Sequence, residues 1–365
     1  MEWQRILRGM FLLLAFVPAL AQKKSADKAG ADKQEGESLR HFADKLDFHI
    51  GAVIQGNFWE EDPKYKQVLG RDFNSAVSIV FQRFTQPDRG RFNYGSMDEA
   101  MSFAKQHDMR LMGHCLVYRN ATSAPWLNFN NAQCGNWSAS ALEQILKEHI
   151  QALVRHGGDT YYSWEVVNEP MNPTHNGCWA QVLGEEGYIV KAFQYAREAN
   201  PKALLLLNET FGEEGVDKAR ADAFFTLVKS LKAKGAPIDV VGIEMHLEAQ
   251  ELHPNYLDEF RYFLNEARKL GVKTHVTEMD VYQGPNGGGP NGFENQKTIF
   301  YNIAHACLKD SNCIGFITWG LGDRYTWLRT SDWKHLTDAK PLLFDDNFDK
   351  KPAYYGVLQA LKEGR

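Results

Sequence analysis

Read for apolar and polar positions, the chain from residue 45 onward repeats one theme. A short, nearly unbroken apolar run is followed by a longer segment with apolar residues three and four apart. The runs fall at Phe48–Ile54, Ser75–Phe81, Leu111–Val117, Ser163–Val167, Leu204–Asn208, Val240–His246, Thr274–Thr277 and Ile314–Trp319. Runs this short, rich in branched residues, suit strands buried on both faces of a parallel sheet. The segments between them, such as Met97–His107, Ala141–His156, Gly187–Ala199, Ala219–Lys234, Asn255–Leu270 and Asn295–Leu308, carry helical spacing. Alternation of strand and helix eight times predicts an α/β protein, a single (β/α)8 TIM barrel. The run Gly284-Pro285-Asn286-Gly287-Gly288-Gly289-Pro290-Asn291-Gly292 falls between the seventh strand and its helix. It reads as a loop on the catalytic face, with lid or subsite wall as roles, rather than as an interdomain linker.

Two of the runs end in carboxylates. Tyr162-Ser163-Trp164-Glu165-Val166-Val167-Asn168-Glu169-Pro170 stops at a proline, which predicts an extended Glu169 projecting from the strand tip. Thr274-His275-Val276-Thr277-Glu278-Met279-Asp280 closes in the same way. At roughly 35 residues per βα unit in a barrel of about 250 residues or more, three units separate Glu169 from Glu278. The fourth and seventh strands would then present the two glutamates to one cleft at the C-terminal end of the barrel. A pair of converging carboxylates is the minimum equipment for cleaving a glycosidic bond.

The motifs Trp164-Glu165-Val166-Val167-Asn168-Glu169-Pro170 and Val276-Thr277-Glu278-Met279-Asp280 resemble the acid/base and nucleophile signatures of glycoside hydrolase family 10, the xylanase family. Gly113-His114, Pro125-Trp126-Leu127, Gly242 to His246, Thr318-Trp319-Gly320 and Pro341-Leu342-Leu343-Phe344-Asp345 match it in order along most of the chain. The resemblance implies Glu278 as nucleophile, Glu169 as acid/base and net retention at the anomeric carbon. It further implies His246 as hydrogen-bond partner of the nucleophile and Asn168 as partner of the sugar 2-hydroxyl. His114, Trp319 and Trp327 match residues lining the site of the reacting sugar. A disulfide between Cys307 and Cys313, bracketing a short loop, also follows from the resemblance.

Departures from the family pattern gather around the substrate. The segment Glu-Asn-x-Met-Lys after the second strand is here Ile79-Val80-Phe81-Gln82-Arg83, with Arg83 where lysine is expected. Leu-Val-Trp-His is Leu116-Val117-Tyr118-Arg119, and Asn-Asp-Tyr-Asn after the fifth strand is Asn208-Glu209-Thr210-Phe211. A glutamine two residues before the site histidine is replaced by Glu244, which would either raise the local pKa values or pair with Arg83 or Arg119. Arg83, Tyr118, Glu244 and Asn208 therefore join His114, Trp319 and Trp327 as candidate substrate contacts. Losing acceptors for sugar hydroxyls is expected to weaken or redirect recognition.

Composition narrows the classes further. The 365 residues are 44% hydrophobic, enough for one barrel or for two smaller domains. A net charge of −5 without a long basic run argues against nucleic acid as a partner. Arg5 and Arg8, the apolar stretch Met10–Val17 and Ala19-Leu20-Ala21 read as a signal peptide over residues 1–21, too short to span a bilayer. Residues 22–44, charged and without apolar periodicity, are expected to be a disordered lead-in to a catalytic domain over 45–365.

Export permits disulfides. Cys134 and Cys178 fall in the loops after the third and fourth strands, adjacent at the barrel mouth, and are expected to pair. Cys115 is left as a buried free thiol, and the spacings fit no zinc site. The expected protein is a secreted or periplasmic monomer that needs no cofactor or metal and stays free of the membrane after signal cleavage. Its expected activity is that of an endo-β-1,4-xylanase, with a related β-glycosidase acting on a small or modified substrate as the alternative. A catalytically silent sugar-binding barrel would not need both glutamates, Asn168 and His246.

Overall fold

The computed structural model describes residues 38–54, 61–129, 134–172, 177–330, 334 and 336–365. The signal peptide and residues 22–37 of the lead-in expected from sequence lie outside these. The chain enters through α1 (Leu39–Lys45), capped by the Ser38 hydroxyl accepting from the His41 amide. Leu39 and Ala43 of this helix are fully buried, so the ordered domain begins ahead of residue 45, where the lead-in was expected to end. Two apolar residues four apart form a helical face too short to stand out from the charged residues around it.

After α1 the elements alternate: β1 (His49–Ile54), α2 (Pro63–Asp72), β2 (Ser75–Ile79), a one-turn α3 (Gln82–Thr85), α4 (Gly95–Gln106) and β3 (Arg110–His114). Then come α5 (Ala139–Gly157), β4 (Tyr161–Asn168), α6 (Gly177–Leu183), α7 (Gly187–Ala199), β5 (Leu204–Thr210), α8 (Lys218–Ala233) and β6 (Val240–Glu248). α9 (Tyr256–Lys269), β7 (Lys273–Tyr282), α10 (Gly292–Lys309), β8 (Cys313–Thr318) and α11 (Pro352–Glu363) complete the ring. The eight strands pair in sequence order, and β1 pairs with β8 to close the barrel. Every pairing is parallel, as the apolar runs predict.

Two apolar layers hold the barrel. Inside it, Val53, Val77, Met112, Tyr162, Leu206, Val240 and Ile317 pack on one another. Outside it, helix faces such as Phe224, Phe225 and Val228 of α8 and Phe260 and Phe263 of α9 cover the strands. The inner layer fills the barrel and leaves its C-terminal mouth to polar side chains.

Several boundaries differ from expectation, and each difference bears on the mouth. β7 runs to Tyr282 rather than Thr277, carrying Glu278 and Asp280 within the ladder against β6. β3 stops at His114, and pairing resumes only where the Leu116 and Val117 amides donate to the carbonyls of Glu165 and Val166. Glu169 is not extended. Its φ is +48°, in the left-handed region, while its amide still donates to Asn208 O at 2.9 Å. The ladder therefore reaches Glu169 before the backbone turns, an arrangement that costs a β-carbon-bearing residue about 1–2 kcal/mol. The Pro/Gly loop after β7 contains a short 3-10 turn over Pro285–Gly288, tied down where the Asn286 amide donates to Asp338 Oδ2 at 3.0 Å.

Candidate active site

Side chains two apart on a strand share a face, and the barrel mouth is built from such pairs. β6 supplies Glu244 and His246, β7 supplies Glu278 and Asp280, and the register sets Glu244 beside Glu278 and His246 beside Asp280. β4 and its end supply Glu165, Asn168 and Glu169, while β5 supplies Asn208 and β3 supplies His114. Glu165, Glu169, Glu244, Glu278 and Asp280 are all buried.

His246 stands between two carboxylates: Nε2 lies 3.1 Å from Glu278 Oε2, and Nδ1 lies 3.0 Å from Asp280 Oδ2. Asp280 Oδ2 also accepts from the Trp327 indole at 2.8 Å. Burial alone would lower the His246 pKa, but Asp280 and Glu278 overcome it and hold the imidazole well above its ordinary value. His246 thus donates from both nitrogens, fixing the Glu278 carboxylate in place.

On the other side His114 Nδ1 lies 3.0 Å from Glu165 Oε2 and 3.6 Å from Glu278 Oε1. Burial works against the charged ring here too, and Glu165 chiefly reverses it. Glu165 itself is pushed up to about 7, its desolvation exceeding the attraction of His114.

Asn208 joins the strands. Its Nδ2 lies 2.9 Å from Asn168 Oδ1, 2.9 Å from Glu244 Oε1 and 3.4 Å from Glu278 Oε1, while Oδ1 accepts from Thr277 at 2.7 Å. Glu169 accepts a hydrogen bond from the Tyr118 hydroxyl at 2.5 Å. Trp319 sets its ring edge-on to His114, with centroids 4.8 Å apart, and Trp327 lies 5.1 Å from the His246 ring. Two carboxylates, one held by imidazole and amide and the other by a phenol, thus share a mouth walled by tryptophans.

Of the residues singled out from sequence, Glu169, Glu278, His246, Asn168, His114, Trp319, Trp327, Tyr118, Glu244 and Asn208 meet at this mouth. Arg83 does not. It is exposed, donates to Ala121 O at 3.1 Å and lies over the Phe84 ring. It lines a separate pocket of about 290 Å³ with Asn120, Ser123 and Asn128. Nor does Glu244 pair with Arg83 or Arg119: among the described residues its partners are Asn208 and, at 3.8 Å, His246. Burial first, then Glu278 and Glu169, drive its pKa well above the usual carboxylate range.

Glu165 and Asp280 stand inside the two motifs, and the sequence alone assigns neither a role. Asp280 was within reach, because period two from Glu278 puts it on the same strand face. Glu165 was harder, since a register shift between Glu165 and Val167 breaks the alternation. Cys134–Cys178 and Cys307–Cys313 are disulfides, and Cys115 is a buried free thiol, as expected from sequence.

Comparison with known proteins agrees with this arrangement. The family model described as glycosyl hydrolase family 10 matches residues 38–360. Endo-1,4-beta-xylanase B of Thermotoga neapolitana is 31% identical over 334 residues, which is 89% of this chain and 92% of that protein. Endo-1,4-beta-xylanase A of Humicola insolens is 32% identical over 309 residues, covering 82% of this chain and 77% of its own. The crystal structure of xylanase 10B from Thermotoga petrophila in complex with xylobiose superposes with a TM-score of 0.80 at 31% identity, over 89% of this chain and 97% of that one. A match over nearly all of the described residues, on a closed barrel with paired glutamates at its mouth, means that the chain belongs to glycosyl hydrolase family 10.

Proposed function

We propose that this family 10 protein is an endo-1,4-β-xylanase that cleaves xylan by double displacement with retention. Glu278 attacks the anomeric carbon as Glu169 protonates the departing oxygen, giving a covalent glycosyl-enzyme. Glu169 then takes a proton from water, which attacks the same carbon and releases Glu278. The observation that carries this reading is the way Glu278 is held at the barrel mouth, with Glu169 buried at the same mouth. Glu278 is held by His246 and by the amide of Asn208, as a fixed anion should be. Glu169 accepts on Oε1 from the Tyr118 hydroxyl, a neutral donor. In this reading Asn168, whose Oδ1 accepts from the Asn208 amide, meets the 2-hydroxyl of the reacting sugar, with His114, Trp319 and Trp327 around that sugar. The similarity to two named xylanases and to a xylanase crystallised with xylobiose supports the substrate class.

One observation favours a second reading, a related β-glycosidase acting on a small or modified β-glycoside. The mouth beside His114 is apolar on its β2 side. Ile79 packs with the inner layer, and Phe81 sets its ring 5.3 Å from His114 and stacks with exposed Phe84. Product analysis after incubation with linear xylan, arabinoxylan and an aryl β-xylobioside separates the two. Oligosaccharides from the polymers support the xylanase, and cleavage of the aryl glycoside alone supports the second reading. Proton NMR of the first-formed product reports the anomer, and an inverted anomer would refute double displacement.

We further propose that the protein works as a secreted or periplasmic monomer. The reading rests on the leader-like N-terminus and on a site drawn from a single chain. Among the described residues no helix is long and apolar enough to cross a membrane.

A further inference from the structure

Glu244 and Glu278 occupy adjacent positions across the β6–β7 ladder, both almost fully buried. The titratable groups that act on Glu244 are Glu278 from β7, His246 from β6, Glu165 and Glu169 from β4 and its end, and Cys115 and Tyr118 from the segment after β3. Among the described residues no lysine or arginine lies within 4 Å of Glu165, Glu244, Glu278 or Asp280, so two imidazoles are the cations available to these four carboxylates.

The hydrogens are unevenly shared. His114 faces Glu165, with Glu278 next. Both nitrogens of His246 are taken by Glu278 and Asp280, and Glu244 is left at 3.8 Å from Nε2. What Glu244 has at hydrogen-bond distance is the Asn208 amide. A single neutral donor does not balance a second buried charge beside Glu278, whereas a proton on Glu244 removes the charge altogether.

We propose that Glu244 is a positioning residue that works as a protonated neighbour of Glu278, leaving Glu278 as the full negative charge at the point of attack, and that its deprotonation shuts the site down on the alkaline side. The inference rests on the assignment of Glu278 as nucleophile. When Glu244 loses its proton, its carboxylate competes with Glu278 for His246 Nε2–H and the Asn208 amide. Glu278 is then no longer fixed by either. A glutamine at 244 would keep the size and the neutral charge while removing the ionisation.

The test compares the pH dependence of kcat/KM for the parent and Glu244→Gln on an aryl β-xylobioside, alongside infrared difference spectra of both without substrate. The alkaline limb of Glu244→Gln is expected to move upward, by about one pH unit or more. Glu165 and Glu209, also pushed up to about 7, give protonated-carboxyl bands in both proteins, so the readout is the parent-minus-variant difference: a carbonyl band at neutral pH present in the parent alone, which titrates away with the parent's alkaline limb. Superimposable pH profiles, or parent and variant spectra with no difference band in this region, would overturn the proposal. Where Glu244→Gln does not fold, Glu244→Asp replaces it: a carbonyl band and an alkaline limb that shift together support the proposal, and a limb that stays in place overturns it. The spectra need no turnover, so their outcome is independent of whether the chain cleaves xylan.

Discussion

The amide of Asn208 has two hydrogens and faces three acceptors, on Asn168, Glu244 and Glu278. It can lie flat there because residue 242 is glycine: a β-carbon at that position would come within 2.1 Å of Asn208 Oδ1. The amide therefore joins the group that would read the 2-hydroxyl to the group that would attack, and small shifts of either carboxylate are felt by both. Different substitutions at the two glutamates should fail in different ways. Glu278→Ala should cut turnover of every substrate by roughly 10⁴-fold or more, with the fold intact by circular dichroism. Substantial residual turnover would contradict its assignment as nucleophile. Glu169→Ala should lose roughly 10²–10⁴-fold on xylan, whose leaving alcohol needs a proton, and far less on activated aryl glycosides. Added azide should rescue the aryl substrate by replacing water in the second step. Equal losses on both substrates would remove Glu169 from the acid/base role.

At the scale of elements, the parallel strands were readable because burial on both faces writes them as apolar runs, and the mouth was readable because two runs end in carboxylates. What escaped was how each strand ends. The proline at 170 suggested extended backbone at Glu169, yet the ladder bond to Asn208 O and the turn beyond it place that residue at φ +48°. β7 was cut short because charged residues interrupt its apolar run, although Glu278 and Asp280 keep to the ladder. The hydrogen-bond partners of His114 and His246 lie on neighbouring strands, and a local motif does not show which side chains the register brings together. Between elements, the two disulfides close loops of very different length, spanning 44 and 6 residues. Chain-entropy reasoning gives about 4 kcal/mol for the Cys134–Cys178 loop and about 2 kcal/mol for Cys307–Cys313. The paired substitution Cys134→Ser/Cys178→Ser should thus lower Tm more than Cys307→Ala/Cys313→Ala. The reverse order would show that burial of the second pair, both fully enclosed, outweighs loop length.

Across the whole molecule, the two ends of the barrel ask for opposite protonation. At the N-terminal end, His49 stacks on Tyr162, whose hydroxyl lies 3.0 Å from His275 Nε2. Burial chiefly lowers His275 to about 3 and His49 to about 4, and outside the barrel burial lowers His149 to about 4 as well. These imidazoles are held neutral in the fold and take up protons more readily once it opens. Their contribution is intact above the ordinary histidine pKa of 6.5 and is lost as pH falls from there towards 4 and below. Near the C-terminal end the signs reverse. Burial raises Glu165 and Glu209 to about 7, so the fold holds protons there that the open chain releases. Their contribution is intact below the ordinary carboxylate value of 4.5 and is lost as pH rises through 7. One pKa unit corresponds to about 1.4 kcal/mol, so each of these groups moves stability by a few kcal/mol, and the two sets act in opposite directions. The Tm should therefore peak between about pH 5 and 7 and fall on both sides. His275→Gln should flatten the acid side and Glu209→Gln the alkaline side. Thermal melts at half-unit intervals from pH 4 to 9 measure this, and a Tm rising steadily to pH 9 would mean that the buried carboxyls are ionised in the fold.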